Sequence, residues 1–182
     1  MKKVTTKFLE NNNACSGGFR WWDANCKGLS TEDQLLKLVN YRADWANWLM
    51  SRLLNRKDKI RYAVFAAELV INIYEKEHPN NKAPRKAIEA AKEVIKRDTQ
   101  SNRNNAAYAA YAAAYAAYAA DAAADAAAYA AYAADAAADA AAYAAYAAYA
   151  ADAAADAADA ADVKKEIQLK IINYGITLLR GE

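Results

Sequence analysis

The amino-acid sequence predicts an all-α protein: a helical bundle with a long Ala/Tyr/Asp helical segment and a C-terminal helix. Three observations carry this. Residues 106–162 consist of forty Ala, nine Tyr and eight Asp, and Ala has the highest intrinsic helix propensity. Outside that tract, apolar residues recur at three- and four-residue intervals, the period of a helix face. Nowhere does an apolar/polar alternation compete as a strand.

The elements follow in chain order. Residues 4–27 read as a short element bent at Gly17-Gly18 and closed near Gly28. Ser30 suits a helix cap, and Asp33, three residues on, answers it in a variant of the capping box. The helix after it carries Leu35, Leu36, Leu38 and Val39, and Trp45, Trp48, Leu49 and Leu53 follow at helical spacing. The next helix spans 58–77, with Ile60, Val64, Ala67, Ile71 and Tyr74 on one stripe. His78-Pro79-Asn80-Asn81 reads as a turn that leaves His78 in solvent. Pro84 suits the first turn of a helix continuing over 85–98, with Ala87, Ile88, Ala91 and Ile95 inward. Thr99–Asn105 reads as a polar link. Val163–Leu179 restores an amphipathic helix (Ile167, Ile171, Ile172, with Leu178 beyond), interrupted at Gly175. The expected organisation is a globular helical domain over 1–104, an Ala-rich segment over 105–162, and a C-terminal helix over 163–182 that packs back on the bundle.

The tract is a repeat. A fourteen-residue unit, AAAYAAYAADAAAD, occupies 112–125 and recurs at 126–139. Its marked positions average the coiled-coil period of about 3.5 residues, not the 3.6 of a straight helix. Burying its unpaired carboxylates would be prohibitive. The expected arrangement therefore buries Ala faces, keeps Asp wet and lays Tyr partly over the Ala surface; the alternative turns the Tyr clusters onto a partner. A straight helix of this length would reach roughly 85 Å at 1.5 Å per residue. Either the run folds back as a hairpin or a second copy packs on it, so self-association through the Ala-rich helices is expected.

Charge is segregated. Residues 1–104 hold 20 Lys or Arg against 12 acids, whereas the tract holds eight Asp and no cation. The cations are scattered and the tract is acidic, which argues against an extended nucleic-acid groove. Asp or Tyr interrupts the tract too often for a membrane span. The start, Met1–Lys7, carries no apolar signal region, so a cytoplasmic protein is expected, with Cys15 and Cys26 as free thiols. With His78 as the single histidine, a four-ligand Cys/His zinc site cannot be assembled. No phosphate loop, nucleotide fingerprint, nucleophile elbow or metal motif is present, so the expectation is no catalytic residue, no metal, no cofactor and no enzyme.

Two aromatic–basic constellations could bind a ligand. Asp44, Trp45, Trp48 and Arg52 lie at helical spacing, and Arg20 precedes Trp21-Trp22. Trp and Arg together stack on and pin planar anions; the plainer reading makes the Trp residues core and pairs the Arg with a carboxylate. Arg85 begins a helix at its positive end and stands four residues before Glu89, the spacing of a surface ion pair. Glu68, flanked by Ala66, Ala67 and Leu69, reads as partly buried and paired with an Arg. The candidate ligand residues are Arg20, Trp21, Asp44, Trp45, Trp48, Arg52, Arg85 and Glu89. The candidate partner surface on the tract is Tyr118, Tyr129, Tyr132, Tyr143 and Tyr146, since Tyr is enriched at interfaces.

The order of these pieces resembles the Ala-rich immunity-protein family, the immunity-protein-like domains of bacteria and their phages. The matching residues are Ala14-Cys15 with Gly18 and Trp21, then Asp44-Trp45 and Trp48-Leu49 with Arg52. The helix Ala63–Tyr74, Pro84-Arg85 with Ala87–Ala90, and the punctuated Ala tract ahead of a short C-terminal helix follow. The family tract often carries Arg or Trp where this one has Asp and Tyr. The resemblance implies a small all-α cytosolic protein that neutralises something; for a phage-borne member, a host defence component or its signalling nucleotide.

Three functions are therefore expected in order. The first is a non-enzymatic immunity-type or counter-defence inhibitor of a protein effector. The second is a sponge for a nucleotide immune signal, built from Arg20, Trp21, Trp45, Trp48, Arg52 and Arg85. The third, ice binding, draws only on the Ala-rich helix, and the tract lacks a Thr array.

Overall fold

The computed structural model describes residues 1–77, 79–119 and 161–182. Among them all regular structure is helical: α1 (Thr6–Asn11), α2 (Ser16–Asn25), α3 (Thr31–Tyr41), α4 (Ala43–Leu53), α5 (Arg56–Glu77), α6 (Ala83–Lys96), α7 (Gln100–Ala119) and α8 (Ala161–Arg180). His78 and the tract from 120 to 160 lie outside the described residues.

Helix starts follow local chemistry. The Thr5 hydroxyl accepts the Phe8 amide, the Cys15 sulfur accepts the Gly18 amide, and the Ser30 hydroxyl accepts the Asp33 amide. Each satisfies one of the donors a helix leaves orphaned at its first turn. Asp33 answers through its side chain, taking a hydrogen bond from the Ser30 hydroxyl at 2.6 Å. Gly17-Gly18 do not bend the chain, as the sequence suggested; they form the first turn of α2. The break between α3 and α4 falls on Arg42, whose extended backbone (φ −147°, ψ 99°) both ends one helix and begins the next.

The core is built from α3, α4, α5 and α8. Leu35, Leu38 and Val39 meet Leu49, Met50 and Leu53, together with Tyr62, Ala66 and Val70 of α5 and Ile171, Ile172 and Ile176 of α8. Trp22 and Cys26 close it from α2. The expected stripe Ile60, Val64, Ala67 and Ile71 is buried as well, outside this cluster. Helix α5 is thus covered on two faces, because α6 packs on the side away from the main core and α7 packs on α6. Helix α6 buries Ala87, Ile88, Ala91 and Val94. Val94, rather than the expected Ile95, completes that face, since Ile95 is only half-buried.

Two expected interruptions are not interruptions. Thr99–Asn105 is not a link: α7 starts at Gln100 and runs into the Ala tract. The segment is polar because its side chains cap helices. Thr99 accepts the Asn102 amide, and Asn102 in turn donates to the Arg97 carbonyl at the end of α6, at 2.7 Å. Helix α8 runs unbroken through Gly175. A Cβ there would lie 2.7 Å from the Met50 sulfur and 2.8 Å from the Tyr62 ring. Glycine is present for close approach, not for a break.

At the start of the tract, Ala106 and Ala110 are buried while Tyr108 is 75% exposed. This matches the expectation of buried Ala faces for the first turns. Small Ala side chains let α7 lie close on α6, and the larger Tyr turns outward.

Candidate binding surface

The candidate residues separate into groups that the folding of α2, α3 and α4 decides. Trp21 of α2 stacks flat on Tyr41 at the end of α3, with ring centroids 4.4 Å apart and planes 12° from parallel. Trp45 of α4 meets Trp21 edge-on at 6.4 Å and Tyr41 at 5.9 Å. The Arg42 guanidinium lies 4.9 Å from the Trp45 ring centre. Asp44 holds that guanidinium through both carboxylate oxygens, one contact from Nε at 2.8 Å and the second from Nη2. Trp21, Tyr41, Arg42, Asp44 and Trp45 thus form one continuous cluster, with Tyr41 56% exposed at its edge. Offset stacking and cation–π contact fix the geometry without a covalent tie.

The first turn of α2 packs against the Trp45 ring at ordinary contact distance. A Cβ on Gly17 or Gly18 would stand 3.8 or 3.7 Å from Trp45, and one on Gly18 would press to 3.2 Å on the Cys15 sulfur. The first turn of α2 therefore lies directly on the Trp45 indole. Sequence reasoning named Trp21, Asp44 and Trp45 but not Tyr41 or Arg42. Arg42 stands two residues before Asp44, and that adjacency was the available signal. Tyr41 could not be found from spacing, because its partner Trp21 sits on another helix.

Trp48 and Arg52 make a second group on α4. The Arg52 guanidinium lies 4.8 Å from the Trp48 ring centre and donates to the Ser51 hydroxyl at 2.9 Å. Asp44 is engaged by Arg42, not by Arg52. Burial lowers the Arg52 pKa. Lys59 of α5 is lowered too, first by burial and then by the charges of Arg52 and Lys2.

Other expected sites are engaged in the scaffold. Arg85 does not pair with Glu89; it grips Glu75 of α5 through two N–H donors at 2.9 and 2.5 Å and reaches Asn72. That contact holds the Glu75 carboxyl below its ordinary range. Glu89 and Glu68 both pair with Lys92, so the partner of Glu68 is a lysine rather than the expected arginine. Arg20 is exposed and donates to the Ser16 carbonyl of its own helix. The six residues expected to build a nucleotide pocket are therefore divided: Trp21 and Trp45 in one group, Trp48 and Arg52 in another, Arg20 on its own helix and Arg85 bound to α5. Tyr129, Tyr132, Tyr143 and Tyr146 lie outside the described residues, as does the side chain of Tyr118.

Among the described residues, no group of three His, Cys, Asp or Glu side chains could hold a metal ion, and no helix is long and apolar enough to cross a membrane. Cys15 and Cys26 are free thiols, the first exposed and the second buried. No family model matches the chain, and neither does a curated protein or a solved structure.

Proposed function

We propose that this chain is a non-enzymatic inhibitor of the immunity or counter-defence type, which binds and neutralises a protein effector. The observation that carries the reading is the half-buried Trp21–Trp45 pair with exposed Tyr41 stacked on it and Arg42 set over Trp45. Trp, Tyr and Arg are the residues that dominate binding energy at protein interfaces. Here they are already ordered, so little side-chain entropy is lost on association. The outward Tyr108 at the start of the tract offers the same chemistry on a second helix.

Sequestration of a nucleotide signal is the weaker reading, because the residues expected to form one pocket are divided between groups with separate partners. The inhibitor reading is tested by co-expressing the chain with candidate growth-arresting effectors. Restored growth with the natural chain, lost in Tyr41→Ala and Arg42→Ala variants that still fold, supports it. Unchanged protection by both variants overturns this surface. A thermal-shift panel of cyclic and ADP-ribose-type nucleotides tests the sponge.

A further inference from the structure

Arg52 and Lys59 stand apart from the other half-buried cations among the described residues. Both are half-buried, and among the described residues neither has a carboxylate partner. Every other half-buried Lys or Arg there has one: Arg56 and Arg103 share Asp98, Arg61 has Asp58, Arg85 has Glu75, and Lys92 has Glu68. The two exceptions flank the short link between α4 and α5, Arg52 in the last turn of one and Lys59 in the first turn of the other, and the positive charges of Arg52 and Lys2 both act on the Lys59 ammonium. Partly desolvated like charges at one corner cost stability unless an anion joins them. A local rule broken without compensation in the scaffold is the usual mark of a binding site.

We propose that the corner where α4 meets α5 is an anion site, in which Arg52 and Lys59, with Lys2 at its edge, hold the phosphate of a small phosphorylated molecule. The Arg52 fork is set in advance. Its central carbon lies 4.8 Å from the Trp48 ring centre, and one N–H rests on the Ser51 hydroxyl, which itself donates to the Trp48 carbonyl at 2.8 Å. A planar fork and a flexible ammonium are a matched pair for a phosphate, the first directional and the second a point charge. Two half-buried cations and one exposed one suit a compact dianion. A nucleic acid would require a longer basic stripe. Arg52 already covers one face of Trp48, so recognition falls on the phosphate rather than on a stacked base. This site does not rest on the inhibitor reading.

The test is calorimetric titration of the full chain with pyrophosphate at constant ionic strength, with thermal unfolding measured in parallel. Saturable binding is expected, together with a rise in Tm. Lys59→Gln should weaken binding about tenfold or more, the loss expected for one charge-assisted hydrogen bond, while Lys59→Arg retains most of it. Without pyrophosphate, Lys59→Gln should be at least as stable as the natural chain. A nucleoside diphosphate binding no tighter than pyrophosphate assigns recognition to the phosphate; binding far tighter would overturn the phosphate-only reading. No saturable binding, equal binding by Lys59→Gln, or marked destabilisation of that variant without pyrophosphate would each overturn the site. The last would show that the ammonium is neutralised within the protein.

Discussion

A Cβ placed on Gly175 would stand 2.6 Å from the terminal carbon of Met50. Helix α8 therefore touches α4 closely enough that any larger residue forces the Met50 or Tyr62 side chain to shift. Met50 is fully buried, and the neighbouring Tyr62 ring is tied to Asn47 through its hydroxyl. Neither can move freely. Gly175→Ala should gain up to about 1 kcal/mol in helix propensity but lose about 1–3 kcal/mol to overpacking. The expected net is a loss of about 1 kcal/mol in urea denaturation. Combining it with Met50→Ala should show a coupling of at least about 0.5 kcal/mol. A Gly175→Ala variant more stable than the natural chain would remove the close-approach account.

Trp22 and Gln34 form a buried polar pair across α2 and α3. The indole N–H donates to the Gln34 side-chain oxygen at 2.6 Å, and the Gln34 amide donates to the Leu29 carbonyl at 3.0 Å. Gln34→Leu leaves the indole N–H without its acceptor. The expected loss is about 1–3 kcal/mol, the cost of a buried donor left unpaired. Chemical denaturation measures it, and an unchanged midpoint would show that water reaches Trp22.

The two thiols should differ in reactivity. Burial raises the Cys26 thiol above its ordinary pKa, and outweighs the opposing charge of Lys37. The thiolate is the reactive species, so Cys26 should resist a disulfide-exchange reagent until the protein unfolds. Cys15 is exposed and should react in the native state. Mass spectrometry of the labelled chain before and after denaturant reads this directly. Equal labelling of both in the native protein would contradict the burial of Cys26.

Lys59 should contribute a component of stability that rises with pH on the alkaline side. Burial and the neighbouring Arg52 and Lys2 charges hold its pKa below the ordinary lysine value of 10.5. Between the two values the unfolded chain binds more protons than the folded one, so unfolding free energy increases with pH. The penalty is fully present below the folded pKa and is relieved as pH rises through it. Lys59→Gln should lack this component of the pH profile, measured as the difference between the two proteins. Parallel profiles would exclude it.

Tyr41→Ala should separate binding from folding. It removes one aromatic stack, worth about 0.5–1.5 kcal/mol of stability. An interface anchor of this kind carries at least about 2 kcal/mol of affinity, or roughly thirtyfold. A calorimetric comparison against a bound effector, alongside thermal unfolding, tests the ratio. Equal effects on both would make Tyr41 part of the scaffold only.

What was legible in the sequence was local. The helical class, the Ser30 cap, the Pro84 helix start and the inward Ala87, Ile88 and Ala91 follow from propensity, capping and period, which act within a few residues. Even the misread polar link was a local matter: Thr99 and Asn102 have cap chemistry, and the composition alone did not show that they cap two adjoining helices.

Only the tertiary structure decided who meets whom. It paired Arg85 with Glu75 instead of Glu89, stacked Tyr41 on Trp21, and pressed Gly175 against Met50. It also left Arg52 and Lys59 flanking the link between α4 and α5 with no carboxylate partner among the described residues. The physical reason is distance along the chain. Propensity and caps are summed over single turns, whereas a stack, an ion pair or a close approach depends on how two helices cross. That crossing is set by the whole core at once, through the volumes of Leu35, Leu49, Met50, Tyr62 and Ile172.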